Sequence, residues 1–136
     1  MNSIILDRFD ALESQLLENP IVISYKIIRR EVAYNEGKLR FKATFIDGSM
    51  AEFFEYLVIT GETIHLAKYS FHWQDAQGKL KYRWDNAPHH LDLPNAPHHR
   101  HNPDESVNGI IQLPDIFRIL KEIESLLLDE RKTLNY

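Results

Sequence analysis

A chain of 136 residues with no cysteine and a hydrophobic fraction of 43% is expected to form one domain around one core, and it cannot build disulfides or thiolate metal sites. Its formal net charge of −4 argues against a strongly basic nucleic-acid binder. No run approaches the ~18 apolar residues of a membrane helix, and acids interrupt the N-terminal stretch where a signal peptide stays apolar, so a cytoplasmic protein with no membrane association is expected.

Residues 5–18, ILDRFDALESQLLE, space Ile5, Phe9, Leu12 and Leu16 as the buried stripe of an amphipathic helix, which Asn19-Pro20 stops. From residue 21 the period changes to two. The β-branched and aromatic run IVISYKIIRREVAY reads as a long strand, and Asn35-Glu36-Gly37 as a turn. LRFKATFI alternates Leu39, Phe41, Ala43 and Phe45 with Arg40, Lys42 and Thr44, and Asp47-Gly48 turns the chain into AEFFEYLVI. After Thr60-Gly61, residues 62–74 and 79–84 make two more strands around Asp75-Ala-Gln-Gly78. Residues 85–107 hold four prolines and no period, so an irregular His/Pro-rich loop is expected there. A final helix, with Pro114 in its first turn, buries Ile116, Ile119, Leu120, Ile123 and Leu127. The expectation is a single α+β domain over 1–136: about five strands in a mainly antiparallel sheet, with an N-terminal and a C-terminal helix packed on one face.

Parity sorts the side chains of the hairpin YSFHWQDAQGKLKYRW. Tyr69, Phe71 and Trp73 share a face with Leu80, Tyr82 and Trp84, while His72 shares the other with Lys79, Lys81 and Arg83. A short loop pairs Gln74 with Lys79 and then His72 with Lys81 and Ser70 with Arg83; a one-residue slip would expose the aromatics. An imidazole among cations suits phosphate chemistry: one moves protons, the others hold a phosphodiester and the charge that grows on it. For the lysines taken alone a solvated sheet face is the simpler account, whereas His72 and Arg83 together point to function.

The loop repeats the pentapeptide NAPHH at 86–90 and 95–99, and five of the seven histidines lie between Trp84 and Asn102. Nine residues are too few for a domain repeat, so each copy reads as a tight turn presenting a histidine pair. Residues 65–101 hold all seven histidines and five cations (Lys68, Lys79, Lys81, Arg83, Arg100) against three anions, a mildly positive patch on an acidic chain. His99-x-His101 places two imidazoles on one side of an extended chain, whereas His89-His90 and His98-His99 diverge. Most candidates crowd one proline-rich loop and no HExxH helix exists, so neither a metal nor any other cofactor is expected. Cleavage of a phosphodiester by a ribose 2′-OH needs a base and an acid, and histidine serves as either. The loop leaves directly from Arg83 and Trp84, so its imidazoles can fold over the cationic face. Trp73 and Trp84 can stack bases if exposed, although core packing is expected for Trp84. Any single histidine can instead simply pin the loop by hydrogen bonding.

HWQDAQGKLKYRWDNAPHH followed by PHHRH resembles the TumE family, the toxin halves of bacterial type II toxin–antitoxin modules. The positions that match the family pattern are His72, Trp73, Arg83, Trp84, Asp85, Asn86, His89, His90, His98, His99 and His101. The resemblance covers most of the chain. It implies a small cytoplasmic, growth-inhibiting toxin related to RelE-like ribonucleases, with a helix-turn-helix antitoxin encoded beside it as partner. Such a chain would act as a homodimer or within a toxin–antitoxin hetero-oligomer. The acidic net charge departs from the usual basic character of RNA-cleaving toxins.

The expected function is a toxin that is a metal-independent endoribonuclease. Its catalytic set is drawn from His72, Arg83, Asp85, His89, His90, His98, His99 and His101. Arg83 and Lys81 hold the phosphate, His72 and either His90 or His99 act as base and acid, and Asp85 orients an imidazole. Lys79 and Arg100 steer RNA, and Lys68 and Trp73 complete its footprint. The rivals are a non-catalytic RNA- or protein-binding module and a His-ligated, metal-dependent phosphoesterase.

Overall fold

The structure is a computed structural model and describes residues 3–134. Helix α1 (Ser3–Glu18) buries Ile5, Phe9, Leu12 and Leu16, the stripe that its 3.6-residue period dictates. Five long strands follow: β1 (Val22–Val32), β2 (Glu36–Phe45), β3 (Met50–Thr60), β4 (Thr63–Gln74) and β5 (Leu80–Asp85). Two strands of three residues complete the sheet, β6 (His99–His101) and β7 (Val107–Gly109). The sheet therefore has seven strands rather than five, and all of them run antiparallel in chain order as an uninterrupted meander. The span 85–107 is not wholly irregular: Asp85 ends β5, β6 lies within it, and Val107 opens β7. Three residues are too few to show a period, so β6 and β7 leave no pattern for a sequence reading to find.

Helix α2 (Ile116–Leu134) closes the chain. It starts two residues later than expected, because Asp115 caps it: its carboxylate accepts the Phe117 amide at 2.8 Å, and its carbonyl accepts the Ile119 amide. Pro114 thus precedes the cap.

One sheet face carries the core. Leu39, Phe41, Ala43 and Phe45 of β2, Ala51, Phe53 and Leu57 of β3, and Tyr69, Phe71 and Trp73 of β4 are buried with the stripes of both helices. Within this apolar layer Glu55 of β3 is fully buried, and Arg8 of α1 grips it with two hydrogen bonds of 2.8 and 2.9 Å. The same guanidinium lies 5.6 Å from the Phe117 ring of α2. One fork-to-fork ion pair therefore joins sheet, α1 and α2 on a single face.

From Tyr82 onward the β4–β5 hairpin keeps the expected faces but not the expected pairs. His72 lies opposite Arg83, Trp73 opposite Tyr82, Phe71 opposite Trp84 and Ser70 opposite Asp85. The turn causes this shift. Asp75 Oδ1 accepts the amides of Gln77 and Lys79, Gly78 takes φ +86°, and Gln74 pairs with Leu80 instead of Lys79. Lys81 then has no cross-strand partner, a one-residue bulge that moves the register by one more. Beyond the bulge the slip is two, so Tyr82, Arg83 and Trp84 keep their sides, whereas the bulged Lys81 turns to the Trp73 ring instead of joining His72.

Arg8→Ala would leave Glu55 as an uncompensated charge in the core. It should lower unfolding stability by about 3 kcal/mol in urea titrations, whereas truncation of the exposed Leu17 should change it little.

Candidate functional site

Register places the polar residues of the face opposite the helices into rows. One row runs Lys42, Glu52, His72, Arg83, His101 and Val107 from β2 to β7; the next runs Arg40, Phe54, Ser70, Asp85, His99 and Gly109. Neighbours within a row stand about 4.8 Å apart. The rows bring together residues far apart in the sequence.

Asp85 is the centre. Its side chain is 8% exposed and receives four groups. Arg83 Nε donates to Oδ2 at 3.1 Å, and the Ala87 amide donates to Oδ1 at 3.0 Å. His99 Nε2 lies 3.0 Å from Oδ1, and His101 Nε2 lies 3.6 Å from Oδ2. His99 is buried, and its Nδ1 donates to the Pro97 carbonyl at 2.8 Å. The ring of His90 comes in from the loop, 5.3 Å from that of His99 and 5.9 Å from that of His101. Burial holds His101 below the ordinary imidazole range, and the Asp85 carboxylate partly opposes it.

On the other side of Arg83, His72 Nε2 donates to the Gln74 amide oxygen at 3.0 Å, and its Nδ1 lies 3.5 Å from Arg83 Nη1. The lone pair of Nδ1 is thereby aimed beside the guanidinium.

The repeated pentapeptide is what fixes the loop. Asn86 accepts the Tyr69 amide and donates to the Ala67 carbonyl, both on β4. Asn95, at φ +60°, donates to the carbonyls of Ile110 and Ile111 beyond β7. Each copy thus begins with an asparagine that bonds backbone elsewhere and ends with a histidine, His90 or His99, delivered to the cluster. Where the loop crosses β7, a Cβ on Gly109 would meet the Pro94 carbonyl at 2.5 Å, so the close approach requires glycine.

Six of the expected site residues therefore converge: His72, Arg83, Asp85, His90, His99 and His101. The others stand apart. His89 is exposed, while His98 turns to the helix side and stacks on Tyr69 with its Nδ1 3.0 Å from the phenol oxygen. Burial, with His99 nearby, holds His98 below its ordinary range. Trp73 is 2% exposed and donates its indole N–H to Ser49, so it offers no surface to a base. Lys81 lies 4.6 Å from the Trp73 ring and 3.8 Å from Asp47, and Arg100 lies over Tyr82 on the helix side. Lys79 is in the exposed turn, and Lys68 is exposed at the position of β4 opposite Tyr56. Gln74 and Asn95 carry no expectation from the sequence, and Asn86 enters only as a position of the family pattern. The head position of each NAPHH copy was the available signal for the two asparagines.

Among the described residues Asp85, His99 and His101 also have the composition and spacing to hold a metal ion, and no helix is long and apolar enough to cross a membrane.

A family model described as Toxin TumE matches residues 12–130. No curated protein and no solved structure matches the chain.

Asn86→Ala and Asn95→Ala should each speed amide hydrogen exchange across residues 86–98 by about tenfold while shifting global stability by only about 1 kcal/mol.

Proposed function

Because the chain belongs to the TumE toxin family, we propose that it is an endoribonuclease toxin of a type II toxin–antitoxin module. It arrests growth in the cytoplasm until a helix-turn-helix antitoxin neutralises it. The observation that carries the reading is Arg83, set between two imidazole sources: His72 is its direct cross-strand neighbour on one side and His101, with the Asp85 cluster, on the other. A guanidinium so placed binds a phosphate through two N–H groups and stabilises the charge of the pentacoordinate state.

Proton transfer falls to the imidazoles that Asp85 does not hold. His72 Nδ1, beside the guanidinium, takes the proton of the attacking 2′-hydroxyl. His90, exposed on the loop, gives one to the leaving 5′-oxygen. Asp85, His99 and His101 form the platform on which His90 rests. On this reading the RNA lies on the face opposite the helices. Lys42 and Arg40 stand further along the two rows and extend the positive track, although Glu52 partly neutralises both, at 3.6 and 3.3 Å.

His72→Ala, His90→Ala and Arg83→Gln should each slow RNA cleavage by about 10²-fold or more and relieve growth arrest, with unchanged circular dichroism. The assays are induced expression with and without the neighbouring reading frame, scored by growth and RNA integrity, and cleavage by purified protein. Undiminished toxicity of folded His72→Ala and Arg83→Gln proteins would exclude this site. RNA binding without cleavage, insensitive to the histidines, would make the chain a binding module instead.

A further inference from the structure

We infer that Asp85, His99 and His101 form a binding site for a divalent transition-metal ion of the zinc class. His99 Nδ1 faces the Pro97 carbonyl at 2.8 Å and must carry hydrogen there, since a carbonyl only accepts. Nε2 and Asp85 Oδ1 then face each other at 3.0 Å, a pair that a proton on the ring or a cation bound by both atoms satisfies. A divalent ion there takes the place of that proton. An imidazole locked by a carbonyl at one nitrogen is also how proteins orient a metal-binding histidine.

The spacing agrees. Tetrahedral bonds of about 2.0–2.1 Å put neighbouring ligand atoms roughly 3.3–3.4 Å apart. One imidazole faces each carboxylate oxygen, His99 at 3.0 Å from Oδ1 and His101 at 3.6 Å from Oδ2, and with one atom taken from each residue the three ligand atoms lie within 4.8 Å of one another. Strand register sets the directions. His99 and His101 alternate along one strand, so both point to the same side, and Asp85 is the direct cross-strand partner of His99. The buried pair of Asp85 and His99 keeps bulk water from one flank of the site, while His101, 31% exposed, leaves an approach. His90 stands next to both imidazoles and remains outside the ligand set. Two imidazoles and a carboxylate suit borderline divalent ions and not calcium or magnesium. Arg83 also bonds Oδ2, which weakens the carboxylate as a ligand but anchors it in place.

The site shares residues with the proposed RNA-cleaving cluster, yet its occupancy is measured without RNA, so either reading can fail while the other stands. With the ion bound, His99 and His101 are ligands, and proton transfer stays with His72 and His90.

The test uses untagged full-length protein, stripped with chelator and titrated with Co²⁺ under visible spectroscopy, then with Zn²⁺. The expected result is one Co²⁺ per chain with the intense d–d bands of tetrahedral coordination, displaced stoichiometrically by Zn²⁺. His101→Ala, a partly exposed position that tolerates truncation, should lose more affinity than the roughly 10–100-fold that removal of an outer partner of a ligand costs. Asp85→Asn should behave likewise, and His89→Ala should bind as the parent does. Absence of tetrahedral cobalt bands in the folded parent would overturn the proposal. So would equal binding by the parent and by His101→Ala, the mark of adventitious capture by loop histidines.

Discussion

The candidate site depends on how one buried carboxylate is satisfied. Asp85 sits at the end of a strand, almost out of water, and a bare charge there would be costly. The chain answers with Arg83 from two residues earlier, the Ala87 amide from two residues later, and two imidazoles from the strand alongside. Those partners fix three things at once: the direction in which the loop leaves β5, the register in which β6 returns, and the side to which His99 and His101 point. A carboxylate that needs several donors is a strong organiser, because leaving any one unmade leaves desolvation uncompensated.

Sheet parity does the rest. In the second NAPHH copy two consecutive histidines go to opposite worlds: His98 stacks on Tyr69 against the core, and His99 meets Asp85 on the far side. Arg83 and Arg100 separate by the same rule, although the strands that carry them are adjacent. The region is thus less histidine-rich in effect than in composition. Three of the imidazoles between Trp84 and Asn102 gather, one packs, and one faces solvent.

Much of this was legible in the residues, and the reasons are specific. β2, β3 and β4 show themselves because one face is buried along much of their length, and β1 through its β-branched and aromatic run, while His72 with Arg83 could be put on one face from alternation alone. That inference survived a wrong register because the Asp75 turn and the Lys81 bulge together shifted it by two, an even number. A slip of one would have destroyed it. What was not legible were contacts set by strands too short to have a period: nothing in the residues says that His99 faces Asp85 or that β7 closes the sheet. The misplaced members of the expected RNA footprint fail for related reasons. Trp73 is an aromatic on a core-facing position, and Lys81 is drawn off by Asp47 from a turn some thirty residues away.

The three-residue strands have a further meaning. β6 is held to β5, and β7 to β6, by three paired positions each, while the long strands behind them share the helix-packed core. Their ladder can detach as a small cooperative unit at a fraction of the free energy needed to melt the domain. The cluster would then fall apart while the protein remained folded, since Asp85 would stay and its imidazoles would leave. A ligand that captured only the detached form would silence the chemistry by mass action, without ever touching a reacting atom.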